Sequence, residues 1–172
     1  MILLLNGAFG IGKTTVARVL VTRLPRAVLY DPELIGIALQ RIARMAGHDV
    51  EDFQDLRIWR RLTVIALRVV RLFRRNVIVP MAFSNPEYLE EIRDGITRFE
   101  PRHVHVCLVA PLEVVQQRLQ NRRLDPRDAQ WQYRRAAECC AVHHGQPFAT
   151  QVDAANRDVN QIAAEIVQML TA

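Results

Sequence analysis

The chain has 172 residues, half of them hydrophobic and 24% charged, with a formal net charge of +5. That size and balance suit one globular domain with a full core and exclude a disordered tail-like chain. Aromatic residues make up only 6%, too few for an obvious base-stacking platform, and no nucleic-acid reader motif occurs, so the positive charge points to another anion.

In chain order, Ile2 to Leu5 form an apolar run without alternation, the pattern of a strand buried on both faces. The run stops at Asn6 and passes into Gly7, Ala8, Phe9, Gly10, Ile11, Gly12, Lys13 and Thr14, followed by Thr15. This is the G-x-x-x-x-G-K-[ST] spacing of a phosphate loop. From Lys13 onward, Val16, Val19, Leu20 and Leu24 recur at helical spacing. Strand, glycine loop and helix is the context this motif needs. Glycines let successive backbone amides turn toward one anion, and the helix start adds partial positive charge. Lys13 is expected to reach the outer phosphates of ATP, and the Thr14 hydroxyl to ligate Mg²⁺. Lys13 is also the single lysine among 23 basic residues. A compact ammonium fits a narrow loop where a planar guanidinium does not.

Ala27 to Tyr30 read as a second strand, ending at Asp31-Pro32, with a helical pattern over Glu33 to Met45. Asp31 suits a helix N-cap. It also suits a carboxylate facing the loop, which would take a proton from a substrate hydroxyl or hold Mg²⁺ through water. Next, Asp52, Phe53, Trp59 and Arg60 mix acidic, aromatic and basic groups suited to a polar substrate. A helical pattern runs from Leu56 to Arg75, with Arg57, Arg61, Arg68, Arg71 and Arg75 along one stripe. Such a helix keeps its charges in water or lies on a membrane surface.

A third strand runs from Asn76 to Met81 and carries no acid at its end, so Asp31 is the nearest carboxylate for the metal. Helices follow over Pro86 to Phe99 and, after a fourth strand from His103 to Val109, over Leu112 to Asn121. Arg118 and Arg122 share a helix face. Arg118 is assigned to the adenine ring and Arg122 to the phosphates, against the plainer reading of a solvated basic face. A helix over Asp128 to Val142, a weaker strand from Phe148 and a last helix capped by Asp158 complete the chain. His103 and His105 alternate on the fourth strand, and His143 and His144 are expected in a loop. All are read as structural. Alternating strands and helices imply an α/β fold with a parallel sheet covered on both faces. Its carboxyl edge would gather Asn6, Asp31, Met81, Ala110 and Asp153 around one crevice.

No run of about 18 apolar residues could span a bilayer, and the opening apolar run is too short for a signal sequence. Cys107, Cys139 and Cys140 make a poor disulfide set and lack zinc spacing. These point to the cytoplasm.

The strings around Gly7 to Thr14, "YDPELIGIAL", "DFQDLRIWR" and "VIVPM" followed by "NPEYLEEI" resemble the bacterial tunicamycin-resistance family of phosphate-loop ATP-binding proteins over most of the chain. More broadly the chain is similar to nucleoside-monophosphate and shikimate kinases, whose "RLQNRR"-like segment enters a lid at Arg118, Arg122 and Arg123. The resemblance implies a three-layer α/β sandwich with five parallel strands in the order 2-3-1-4-5. It implies one kinase-like domain over 1–172, with a substrate-binding helical region at about 46–75 and a lid at about 122–146. It implies ATP and Mg²⁺ as cofactors and a small-molecule substrate, a nucleoside-like antibiotic. Lys13, Asp31 and Arg122 would be catalytic. Residues Gly7 to Thr15 with Arg118 and Arg122 would hold the nucleotide. Asp31, Phe53, Trp59, Arg60 and Met81 would meet the substrate, and Thr14 with Asp31 the metal. Two functions stay open: phosphoryl transfer to a hydroxyl of the drug, or ATP-dependent sequestration of the drug without chemistry, with peripheral membrane contact.

Overall fold

The computed structural model describes residues 1–122, 126–145 and 150–171, with backbone alone at 126–128 and 144–145. Five strands form one parallel sheet: β1 (Ile2–Gly7), β2 (Ala27–Leu29), β3 (Asn76–Pro80), β4 (Val104–Val109) and β5 (Thr150–Asp153). Their spatial order is β2-β3-β1-β4-β5, as the resemblance implied. β1 is central because it is apolar at every position up to Asn6 and buried throughout. Its register pairs Leu3 with Ile78 on one side and with Val104 on the other.

The helices are α1 (Lys13–Arg23), α2 (Glu33–Met45), α3 (Arg57–Phe73), α4 (Pro86–Thr97), α5 (Leu112–Gln120), α6 (Pro126–Gly145) and α7 (Val159–Thr171), with a 3₁₀ turn at Phe53–Asp55. Side-chain caps start α4 and α7, and of these the sequence reading named Asp158. Asn85 accepts from the amides of Glu87 and Tyr88 with Pro86 in the first turn, and Asp158 accepts from Asn160 and Gln161. His143 departs from it, since it lies in α6. The expected start of the fifth strand at Phe148 lies outside the described residues.

Strand alternation sorts the core into two layers. Leu3, Leu5, Val106, Leu108 and Val152 pack against Val16 and Leu20 of α1, Val115 and Leu119 of α5, and Ile162 and Ile166 of α7. Ile2, Leu4, Val77 and Val79 pack against Trp59 and Leu67 of α3 and Leu89, Ile92 and Ile96 of α4. Each such aliphatic side chain contributes about 1.5–3 kcal/mol by leaving water. The long basic helix is amphipathic in an unexpected sense. α3 buries Trp59, Arg60, Thr63 and Leu67, while Ile58, Ile65, Val69, Leu72 and Phe73 stay exposed beside its arginines. No helix among the described residues is long and apolar enough to cross a membrane.

Candidate active site

The loop between β1 and α1 lies at the carboxyl edge of the sheet, where parallel α/β folds gather ligands. Gly10 makes it possible. Its φ is +86°, and a Cβ there would stand 2.7 Å from Leu119 Cγ on α5. A side chain would meet both the left-handed backbone and the core. The amides of Gly10 and Gly12 have no protein partner among the described residues. Lys13 Nζ donates to the Ala8 carbonyl at 2.9 Å and stands 5.5 Å from the centre of the Phe9 ring. Burial lowers its pKa, and the carboxylate of Glu33 opposes that shift. Amides left unsatisfied among the described residues, around a buried ammonium that donates to a carbonyl, are what a phosphate chain needs.

Phe9, Gly10, Gly12, Lys13 and Thr14 share their pocket with Asp31, Glu33, Pro80 and Arg122. Asp31 and Glu33 come from the β2–α2 junction. The Asp31 Oδ1 accepts from the Glu33 amide at 3.0 Å, so it ties down the first turn of α2 from one residue before the N-cap, which is Pro32 and not Asp31 as expected, and one oxygen remains for other work. Glu33 was not singled out by sequence reasoning. Burial raises its carboxyl pKa, and Lys13 partly offsets this. Each of these two groups is thus pushed toward neutrality by burial and held back by the other. The only sequence signal for Glu33 was its place two residues after Asp31, which looks like an ordinary first-turn acid.

The residues present fit a nucleotide with its metal. Thr14, exposed at the loop rim, and Asp31 face the same pocket. Among the described residues no group of three or more His, Cys, Asp or Glu could hold an ion, so Mg²⁺ would complete its oxygen shell from phosphates and water. β3 ends in Pro80, which lines this pocket where an acid was absent from the sequence. Ala8 and Ile11 are buried and anchor the loop, Thr15 is exposed on α1, and Gly7 leads in from the strand. Arg122 stands at the pocket rim, exposed. Arg118 is committed: its guanidinium donates to the carbonyls of Ile11 (3.0 Å), Ala154 (2.7 Å) and Ala155 (3.1 Å). It staples the phosphate loop to the segment after β5, which leaves only its flat face for an adenine ring. Arg123 lies outside the described residues.

A wider groove of about 610 Å³ adjoins the loop pocket and shares Phe9 and Glu33 with it. Its walls are Ile37, Gln40, Arg41 and Arg44 of α2, with Glu51 and Phe53, and Trp131 and Gln132 of α6. Phe9 meets Trp131 edge-on, ring centres 5.2 Å apart, so α6 touches the phosphate loop directly. Of the expected substrate residues, Phe53 reaches this groove. Trp59 and Met81 lie beneath it in the core. The Trp59 Nε1 donates to the Pro32 carbonyl at 2.9 Å, which fixes the turn carrying Asp31 and Glu33. Arg60 is buried against Glu91 at 2.6 Å and donates to the Gln54 carbonyl.

The fold and loop define a phosphate-loop protein of kinase-like architecture. The sequence model of the family described as AAA domain matches residues 2–138, and the chain belongs to that family. Among solved structures it is similar to the Deinococcus radiodurans tunicamycin resistance protein, with 27% identity over 99% of this chain and 95% of that one, at a TM-score of 0.78. A gluconokinase from Sinorhizobium meliloti 1021 shares the fold at 16% identity and a TM-score of 0.66, covering 98% of this chain and 94% of that one. A shikimate kinase from Acinetobacter baumannii does so at 19% and 0.60, covering 99% and 92%. No curated protein matches.

Proposed function

We propose that this protein is an ATP-dependent phosphotransferase acting on a hydroxyl of a nucleoside-like antibiotic of the tunicamycin type. One observation carries the reading: Glu33 lines both the phosphate-loop pocket and the adjoining groove, where a transferring phosphoryl group and its acceptor would meet. The similarity to a tunicamycin resistance protein and to small-molecule kinases supports it.

In this reading residues Gly7 to Thr15 cradle the triphosphate through their amides, and Lys13 leaves the Ala8 carbonyl for a phosphate oxygen. Mg²⁺, held beside Thr14 and Asp31, would supply charge neutralisation for the phosphates. The acceptor hydroxyl oxygen attacks the γ-phosphorus, the bond from that phosphorus to the bridging oxygen breaks, and ADP leaves. The hydroxyl proton passes to Glu33, whose raised pKa suits a base. Asp31 orients that carboxylate's helix start. Arg122 and Arg118 serve the phosphate and adenine ends, and a lid at about 122–146 excludes water. The region at about 46–75 supports the acceptor: Phe53 would touch it, Trp59 holds the floor together with Met81 just after β3, and Arg60 braces the turn at Phe53–Asp55 through the Gln54 carbonyl.

A second reading, ATP-dependent sequestration without chemistry, is favoured by one feature, Pro80 in place of an acid at the end of β3. Mass spectrometry of tunicamycin incubated with protein and Mg-ATP separates the two. The expected product carries one added phosphoryl group with matching ADP release. Unmodified drug bound only with ATP present supports sequestration. Calorimetry showing no ATP binding by folded protein overturns both.

A further inference from the structure

The groove beside the phosphate loop is walled on one side by α2, through Glu33, Ile37, Gln40, Arg41 and Arg44. These residues recur at helical spacing, so one face of the helix forms the wall. Glu33 stands at its phosphate-loop end. Arg41 and Arg44 stand about two to three helical turns further on. Gln40 ties that end down, its Nε2 donating to the carbonyls of Val50 and Glu51 at 2.8 Å each.

The charge at that end has no partner within the groove. Several arginines around the site are committed: Arg118 to three carbonyls, Arg60 to Glu91, Arg134 to Glu51, and Arg135 to Asp52 and Glu138. Among the described residues no ion pair or side-chain hydrogen bond reaches Arg41 or Arg44. The carboxylates that line the groove are both engaged, Glu33 with the field of Lys13 and Glu51 with Arg134. Like charges three residues apart on one helix face repel each other. A helix end attracts one cation, and Arg44 in the last turn of α2 already supplies it. The second guanidinium has no such use in the fold.

The space between the two ends is lined by Ile37, Phe53 and Trp131, an apolar and aromatic wall suited to a flat ring. Resting on the acceptor reading above, we infer that the groove is built for an anionic member of the nucleoside-like class, with a phosphoryl or carboxylate group held by Arg41 and Arg44, a ring against Trp131 and Ile37, and the reacting hydroxyl at Glu33. A guanidinium fork matches either anion through paired hydrogen bonds. Arg41 and Arg44 stand away from the transferring phosphoryl group. They decide which acceptor is held and which of its ends faces the phosphate loop, and a cationic acceptor is rejected by the same charges.

The test uses the whole chain saturated with Mg²⁺ and a non-hydrolysable ATP analogue, so that the phosphate loop is filled and does not compete for the probes. Uridine, uridine 5′-monophosphate, uridine 5′-carboxylate and 5′-amino-5′-deoxyuridine share one shape and differ in charge. Calorimetric titration should show at least one of the two anions binding roughly tenfold or more tighter than uridine, the ratio expected of a charge-assisted hydrogen bond, and the amine weakest. The tighter anion identifies the group that the arginines hold. Arg41→Gln and Arg44→Gln should each reduce that ratio and together erase it, while circular dichroism shows the same fold. Arg68→Gln removes the same charge from the exposed side of α3 and should leave the ratio unchanged, which separates a local grip from net charge. No binding by any probe, no preference for either anion, a preference that survives the double variant, or an equal loss in Arg68→Gln overturns the inference. Binding of the ATP analogue and phosphoryl transfer from ATP to tunicamycin are measured on the same protein. If both occur without the charge preference, this inference alone falls. If both are absent, the phosphotransferase reading falls and this inference with it.

Discussion

Replacing Gly10 by alanine perturbs the phosphate loop at its tightest point. The residue sits at φ +86°, and an added Cβ would lie 2.7 Å from Leu119 Cγ, 2.9 Å from Leu119 Cδ2 and 3.3 Å from the Val115 carbonyl oxygen. The left-handed backbone costs a β-carbon about 1–2 kcal/mol. Forcing a methyl into a packed layer costs about 1–3 kcal/mol more, because Leu119 is fully buried and the Val115 carbonyl belongs to α5. The sum is about 2–5 kcal/mol. Urea unfolding should show a lower midpoint with an unchanged slope, and calorimetry should show ATP affinity down roughly tenfold or more as the amides shift off the phosphates. Leu119→Ala in the same background isolates the steric part. It removes the clashing atoms, so the double variant should be more stable than the two single losses predict, by about 1–3 kcal/mol. A Gly10→Ala protein within about 0.5 kcal/mol of the parent, or losses that simply add, would refute the claim that this loop is pressed against α5.

Three further outcomes follow from the same geometry. Burial holds His105 neutral, with its pKa lowered to about 3 from 6.5, and neither ring nitrogen has a partner among the described residues. The unfolded chain takes up a proton near pH 6.5 that the folded chain refuses, so stability falls as pH drops from there toward 3, by about 1.4 kcal/mol per pH unit. His105→Leu should remove that slope from denaturation curves at pH 7, 6 and 5, and a slope shared by both proteins argues against it. Glu33→Gln should cut phosphoryl transfer by about 10²–10⁴-fold with ATP affinity nearly unchanged. Because burial raises the Glu33 pKa and the base must be ionised, the parent's kcat/KM should fall with decreasing pH through a value above the ordinary carboxylate range, a limb the variant lacks. Full activity in the variant would remove Glu33 from the reaction. Arg118→Met orphans the carbonyls of Ile11, Ala154 and Ala155, so a stability loss of about 1–3 kcal/mol and weaker ATP binding are expected together. A stability loss with intact ATP binding would show that the staple serves the fold alone.

Much of this molecule is legible along the chain because its signals are local. The phosphate loop depends on glycines and Lys13 at fixed spacing, and Asp158 caps its helix through neighbours only two or three residues away. The apolar run from Ile2 to Leu5 fixes β1 as a buried strand because both of its faces must leave water. Other properties arise between residues far apart in sequence. Asp31 and Glu33 look alike as acids at a helix start, and only the packing of α2 beside the loop makes Glu33 the carboxylate that faces both Lys13 and the groove. Trp59 and Arg60 look suited to a ligand until α4, Pro32 and Gln54 surround them and take their polar atoms. Trp131 carries no local signal at all, yet α6 brings it onto Phe9, more than a hundred positions away. Spacing within a helix or loop determines what a backbone can do, whereas burial, pairing and surplus charge depend on which distant side chains share the same space.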